Sequence, residues 1–271
     1  MIDNSRQKRS GAYRLPVEDT EFLLRDEMRN IRFALEYAKA DLALRDWGIR
    51  STIIVFGSAR TSSPEQAEQA RAAATTEDDR KQADRRTRSA AWYQVARDFG
   101  RIVSERGGAF APRNRWRDNV VATGGGNGIM EAANRGAYEA GAPTVGFNIT
   151  LPREEEPNAY TTPELTFRFH YFAMRKMHMA MRANALVVFP GGFGTMDELF
   201  EILTLAQTRK MPPIPTVLVG PDYWKRVISF DALLEEGMIE PADLALFDFA
   251  DTAEAIWEAL VRRGLRMSDG T

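Results

Sequence analysis

Along residues 20–50, Leu24, Met28, Ile31, Leu35, Ala38 and Leu42 recur at spacings of 4, 3, 4, 3 and 4. That period lays one apolar stripe along a long helix, closed by Trp47 and Gly48. The stripe is expected to pack on its own domain, and a face of this length can also pack on another subunit. From Thr52 the pattern changes. Continuous apolar runs at 52–56, 119–123, 144–149, 166–172, 185–190 and 215–220 alternate with helical periods at 91–106, 128–141, 173–183 and 222–229. One more helix runs from a glycine loop at 190 to about Arg209, and helical pieces continue to about 265. The runs are unbroken Val and Ile stretches, as in strands buried on both faces of a parallel sheet.

Residues 61–90 depart from this pattern. They are rich in Ala, Gln and charge and nearly lack large apolar side chains. They read as a solvated helical insertion or mobile loop, and the basic end, with Arg80, Lys81, Arg85, Arg86 and Arg88, reads as simply solvated. No second composition block or long linker is present. The predicted architecture is a single α/β domain, a parallel sheet flanked by helices with an N-terminal helical extension. Residues 1–50 form a tail and long helix of that domain, and 51–265 form its body, with the insertion at about 61–90.

Composition narrows the function classes. The net charge is −2 and the pI about 5.9, which argues against a general nucleic-acid binder but not against a small phosphorylated ligand. There is no cysteine, which excludes disulfides, thiolate catalysis and Cys-ligated metals; His170 and His178 are the only histidines, and no HExxH pattern occurs. No metal site is expected. The N-terminal residues carry no apolar signal-like core, and no run approaches the roughly 18 apolar residues of a membrane span. A cytoplasmic protein without a membrane anchor is expected.

Two glycine-rich turns carry the candidate chemistry: 123-TGGGNGIMEAANRG-136 and 190-PGGFGTMDELFE-201. Each follows a strand and opens a helix, where glycines allow close approach and free helical N–H groups attract an anion. The first is not a dinucleotide fingerprint: after Gly126 and Gly128, Glu131 stands where the third glycine belongs, and the next strand ends at Asn148 without an acid. Neither is a Walker A loop, since no GK[ST] follows. Two such turns at matching places predict a nucleotide-like ligand, with Thr195 adding a hydroxyl or a helix cap.

With the helix taken from Thr195 at about 100° per residue, Leu199, Ile202, Leu203 and Ala206 form its apolar arc. Asp197 and Glu201 lie on its polar side. Glu198 falls at the margin of the buried face, in the first turn, where the dipole favours its charge; the alternative is an acid that merely helps the helix. In 170-HYFAMRKMHMAMRANALVVF-189, Met174, Met177 and Met181 form a stripe expected in the core. Arg175, His178, Met179 and Arg182 share another face, which spacing alone reads as solvated and basic. His178 reads as a packing or interface residue.

The pair Arg175-Lys176 followed by 190-PGGFGTMDE-198 resembles the RK…PGGxGTxxE signature of the "lonely guy" (LOG) family, long mislabelled lysine decarboxylases. The resemblance extends over about 51–220, through 56-FGSAR-60, 123-TGGGNGIMEAANRGA-137 and 203-LTLAQTRK-210. It implies a Rossmann-like fold, a homodimer or a higher assembly of dimers, and phosphoribohydrolase activity on a purine nucleoside 5′-monophosphate, AMP or an N6-modified AMP. It implies Arg175 and Glu198 as the catalytic pair and Gly191, Gly192, Gly194 and Thr195 as the phosphate loop. Gly57, Ser58, Gly125, Gly126, Glu131 and Lys176 are implied to complete the nucleotide pocket, with no cofactor. Arg175 would hold Glu198 ionised through a bidentate pair, or contact the substrate directly. A non-catalytic nucleotide or molybdenum-cofactor carrier on the same fold is the alternative. Lysine decarboxylation is disfavoured, because nothing suggests a pyridoxal phosphate site. Loops around 110–117 and 150–165 are expected to set base preference.

Overall fold

The computed structural model describes residues 3–110, 112, 114–151 and 156–267. Of the loops expected to set base preference, Ala111, Arg113 and residues 152–155 lie outside the described residues. The Val- and Ile-rich runs become β1 (Thr52–Phe56), β2 (Val120–Thr123), β3 (Val145–Ile149), β4 (Thr166–Phe169), β5 (Ala183–Val188) and β6 (Thr216–Val219). A seventh strand, β7 (Asp248–Ala250), lies inside the stretch read as helical pieces. It is three residues long, too short for a period to register. All pair in parallel, in the order β4-β3-β2-β1-β5-β6-β7. The order reverses between β1 and β5, so the chain's switch point lies at the carboxyl ends of these two central strands, where open α/β sheets bind ligands. The expected single α/β domain with a parallel sheet is what the chain adopts.

The helices are α1 (Ser5–Lys8), α2 (Thr20–Leu23), α3 (Arg29–Asp46), α4 (Pro64–Ala73), α5 (Glu77–Arg106), α6 (Ile129–Glu139), α7 (Phe172–Met181), α8 (Phe193–Gln207), α9 (Pro221–Val227), α10 (Phe230–Glu235) and α11 (Ala253–Arg262). One face of the sheet is covered by α5, α6 and α11, through Tyr93, Phe99, Ile129 and Trp257. The other is covered by α3, α7, α8 and α9, through Leu44, Met179, Leu199 and Trp224.

Three local readings need correction. The insertion is helical, but α5 does not begin at residue 91: it begins at Glu77, where Thr76 and Asp79 form a capping box, and runs 30 residues. A second box, Ser63 with Gln66, starts α4. Ala67 and Ala83 are buried within this pair, so small residues let two polar helices pack. The long N-terminal helix is broken before Arg29, and its apolar stripe does not enter the core. Ile31, Leu35 and Leu42 are exposed, while Ala40, Asp41 and Leu44 are buried. On α7 the faces are likewise exchanged: Arg175, His178 and Met179 are buried, and Met181 is exposed. Arg175 survives burial because Glu198 pairs with it, and the half-buried Arg182 pairs with the buried Asp41. His178 packs between Tyr37 and Phe169, and burial lowers its pKa, so it stays neutral. Among the described residues, no helix is long and apolar enough to cross a membrane.

Candidate active site

Three strand-to-helix turns meet at the carboxyl edge of the sheet. The β1 turn is tied to the second glycine loop by the Ser58 N–H, which donates to the Pro190 carbonyl at 3.1 Å. The Ser58 carbonyl in turn accepts from the Ile129 N–H, at the start of α6, at 3.2 Å. These contacts need glycine. A Cβ on Gly57 would lie 2.7 Å from the Ile129 side chain, and one on Gly128, at φ +68°, would lie 2.3 Å from the Ser58 carbonyl oxygen. Gly57, Ser58, Gly125, Gly126 and Gly191–Thr195 thus belong to one connected edge.

The first loop rests on buried polar side chains that the motif did not reveal. Thr123 Oγ1 accepts from the Gly125 N–H at 2.9 Å and donates to Asn134 Oδ1 at 2.7 Å. Asn158 donates through Nδ2 to the Gly126 carbonyl and to Asn134 Oδ1, both at 3.0 Å, and its N–H donates to the Gly125 carbonyl at 2.8 Å. Such a network fixes the loop before any ligand arrives. Asn148, at the end of β3, packs against Gly125, and its buried Oδ1 has no hydrogen-bond partner.

The second loop is built differently. A Cβ on Gly191 would lie 2.1 Å from Thr195 Oγ1, so glycine here lets the buried Thr195 side chain fold back over the loop. Gly192 and Gly194 have nothing within 4 Å of such a Cβ, and neither has a positive φ. Neither backbone conformation nor packing within the chain requires glycine at these two positions. Gly192 is the N-cap of α8, and no side chain caps that helix. Thr195 is the third residue of the helix and not its cap, a correction to the sequence reading. The first N–H groups of α8 are therefore open to an anion.

Arg175 projects from α7 and Glu198 from α8, with 9% and 12% of their side chains exposed. Arg175 Nη1 donates to Glu198 Oε1 at 2.9 Å, and Nε donates to the Phe147 carbonyl at 2.7 Å. The pair is therefore single-pronged, not bidentate as expected. Gly124 makes room for it: a Cβ there would lie 2.4 Å from Arg175 Nη2. Because α8 begins at Phe193, Glu198 sits in the second turn, beyond the strongest reach of the helix dipole. Burial pushes its carboxyl up from 4.5 to about 7, with Arg175 opposing only in part. Glu198 is thus not simply held ionised; it titrates near neutrality, where a proton-transfer group is most useful.

Two expected binding residues have other partners. Glu131 accepts from Tyr93 Oη at 2.6 Å, across the α5–α6 contact. Burial and then that bond push the Tyr93 phenol up. Lys176 Nζ lies 2.9 Å from Asp197 Oδ1 and 3.3 Å from Glu201 Oε2, on the polar side of α8. Burial disfavours its charge, but the two acids outweigh burial and raise its pKa. Among the described residues no group of three or more His, Cys, Asp or Glu is placed to hold a metal ion.

The family profile described as "Possible lysine decarboxylase" matches residues 130–260. Cytokinin riboside 5′-monophosphate phosphoribohydrolase LOG3 of Arabidopsis thaliana is 30% identical over 146 residues, 52% of this chain and 66% of the relative. The probable cytokinin riboside 5′-monophosphate phosphoribohydrolase LOGL5 of Oryza sativa subsp. japonica is 32% identical over 166 residues, 59% of this chain and 62% of the relative. These matches support the resemblance to the LOG family. Each match spans less than two thirds of the relative's length. The profile match contains Arg175, Glu198 and the second glycine loop; the insertion lies outside it. Among solved structures, a molybdenum cofactor binding protein from Rippkaea orientalis aligns with a TM-score of 0.47 and 18% identity, over 79% of this chain and 97% of that chain. That likeness is too weak to bear on function.

Proposed function

We propose that this protein is a phosphoribohydrolase that cleaves the N-glycosidic bond of a purine nucleoside 5′-monophosphate, AMP or an N6-modified AMP, to free base and ribose 5-phosphate. The observation that carries the reading is Glu198: a buried carboxyl with a pKa of about 7, fixed by Arg175 beside an uncapped, glycine-lined helix start. The 5′-phosphate occupies the open N–H groups at Gly192–Thr195, against Gly192 and Gly194, which the chain itself leaves uncrowded. Asn148 Oδ1, the unpaired acceptor beside Gly125, takes a ribose hydroxyl.

Breaking the C1′–N bond builds positive charge on the ribose ring, as in glycoside cleavage. Ionised Glu198 stabilises that charge and accepts a proton from the attacking water, whose oxygen bonds to C1′ as the base departs with the bond's electron pair. Arg175 orients Glu198, and binding at the distant phosphate positions the reacting bond. We propose further that two copies pair through the exposed stripe of α3, since Ile31, Leu35 and Leu42 face outward. The function is tested by incubating the purified protein with AMP, GMP, CMP, UMP and N6-isopentenyl-AMP and measuring released base by chromatography. Release that is lost in Glu198→Ala and Arg175→Ala supports the hydrolase; nucleotide binding without release from any monophosphate overturns it in favour of a carrier.

A further inference from the structure

Beside the second glycine loop lies a second feature, built by the insertion. A cleft of about 1410 Å³ is walled by α4 and the first turns of α5, and its floor includes Ser58, Pro190 and Gly191. It therefore opens onto the loop assigned above to the phosphate. Its charged lining is one-sided: Arg60, Arg85, Arg86, Arg88 and Arg226 against a single carboxylate, Asp222. No side-chain hydrogen bond or ion pair engages any of these five arginines among the described residues. Elsewhere on the same helix Lys81 pairs with Glu77, Arg97 with Glu139, Arg101 with Glu105 and Arg106 with Glu254, and among the described residues only Arg80 stands outside the cleft without such a partner.

The placement is regular. Gln82, Arg85, Arg86, Ser89 and Trp92 follow helical spacing along the cleft side of α5, facing Gln66, Gln69, Ala70 and Ala73 at the same spacing on α4. A helix that was merely solvated would have no reason to gather three of its four unpaired guanidinium groups, Arg85, Arg86 and Arg88, on the side facing a cavity. Five like charges around one cleft repel each other and focus a positive field on its interior. A monophosphate held at Gly192–Thr195 leaves most of that field unanswered, and the cleft exceeds the roughly 300–1,000 Å³ usual for a single small ligand.

We propose that the insertion forms a second anion subsite, continuous with the glycine loop, that takes the phosphoryl chain of a nucleoside 5′-di- or triphosphate. It rests on the reading that the loop holds the phosphate nearest the ribose. The remaining phosphates then lie among Arg60, Arg85, Arg88 and Arg226, whose planar forks suit phosphate oxygens. Such a ligand overlaps the monophosphate site and competes with its occupant.

The test is calorimetric titration of the full chain with AMP, ADP, ATP and inorganic tripolyphosphate, without magnesium, at low and high salt. The variants are Arg85→Gln/Arg88→Gln and, as a charge control outside the cleft, Lys81→Gln. ADP and ATP should bind about tenfold or more tighter than AMP at low salt, with the advantage shrinking at high salt. Tripolyphosphate should bind and displace ATP. The double substitution should bring ATP close to AMP, while Lys81→Gln should not. Equal affinity for AMP and ATP, equal weakening of both by the double substitution, or the same loss in Lys81→Gln overturns the subsite. Base release from AMP is followed in parallel. ATP preference without base release removes the hydrolase but keeps the subsite; base release without ATP preference does the reverse.

Discussion

Arg175 contacts Glu198 through one guanidinium nitrogen and anchors itself to the Phe147 carbonyl, in β3, through another. The carboxylate is thereby positioned from β3 through the arginine, and its second oxygen is left without Arg175. Arg175→Lys keeps a cation but cannot reach both partners from one planar group. A fall in kcat of about a hundredfold or more is expected, with KM for AMP changing far less, because the proposed phosphate site lies elsewhere, at the start of α8. Steady-state kinetics separate the two; a loss confined to KM would assign Arg175 to substrate binding.

The pH profile follows from the raised carboxyl. Glu198 accepts a proton only when ionised, and its pKa is about 7. The acid limb of kcat should therefore fall about tenfold per pH unit below roughly pH 7, far above the usual carboxylate range. Arg175→Lys, with a weaker hold on the carboxylate, should move that limb upward. Kinetics at saturating AMP between pH 5 and 9 check both; a flat profile down to pH 5 removes Glu198 from the proton transfer.

The same shift has a stability consequence. A carboxyl whose pKa rises from 4.5 to about 7 on folding binds its proton more tightly in the native state. Stability from this group is greatest below about pH 4.5, falls as pH rises through 7, and is about 3 kcal/mol lower above that range. Glu198→Gln removes the ionisation and keeps an acceptor for Arg175. It should raise the melting temperature at pH 8 and change it little at pH 5, while abolishing base release. Calorimetric melts at the two pH values test this; an equal change at both would show that ionisation is not the cost.

The sheet was legible because its strands are buried on both faces, and an unbroken Val/Ile run of that length fits little besides a doubly covered strand. Both glycine loops are legible because chain punctuation carries them, whereas the Arg175–Glu198 pair is legible only through the resemblance to the LOG motif. What sequence could not supply was direction. Periodicity finds a face but not its neighbour, so it directs the Leu35 stripe inward and the Arg175 face outward. Both reverse in the fold: Arg175 is buried against Glu198, Arg182 is largely covered against Asp41, and Ile31, Leu35 and Leu42 of the α3 stripe are exposed. Gly124, Asn134 and Asn158 escaped notice because their roles exist only across the sheet edge. Their one sequence signal was polar residues amid otherwise apolar elements.

The outward stripe gives a prediction of its own. Leu35 and Leu42 are each about half exposed, at 51% and 55%, on one side of α3. If two copies meet there, Leu35→Arg/Leu42→Arg buries charge at that contact and should shift the protein from dimer to monomer. Sedimentation velocity reads the outcome. The fold should persist, since neither side chain is in the core. An unchanged sedimentation coefficient places any self-association on another surface.

The glycines of the two loops separate packing from ligand approach. At Gly124 an added methyl meets Arg175 Nη2 at 2.4 Å and Met130 Sδ at 2.7 Å. Gly124→Ala should displace the guanidinium, lower kcat and leave phosphate binding largely intact. At Gly194 the methyl meets nothing within 4 Å, so Gly194→Ala should leave the melting temperature unchanged or slightly raised by reduced chain entropy. If phosphate occupies that space, the same methyl must raise KM for AMP and weaken inorganic phosphate as an inhibitor by a similar factor. Parallel kinetics and melts on the two variants give opposite signatures, kcat for Gly124 and KM for Gly194. An unaltered KM in Gly194→Ala would remove the phosphate from the start of α8.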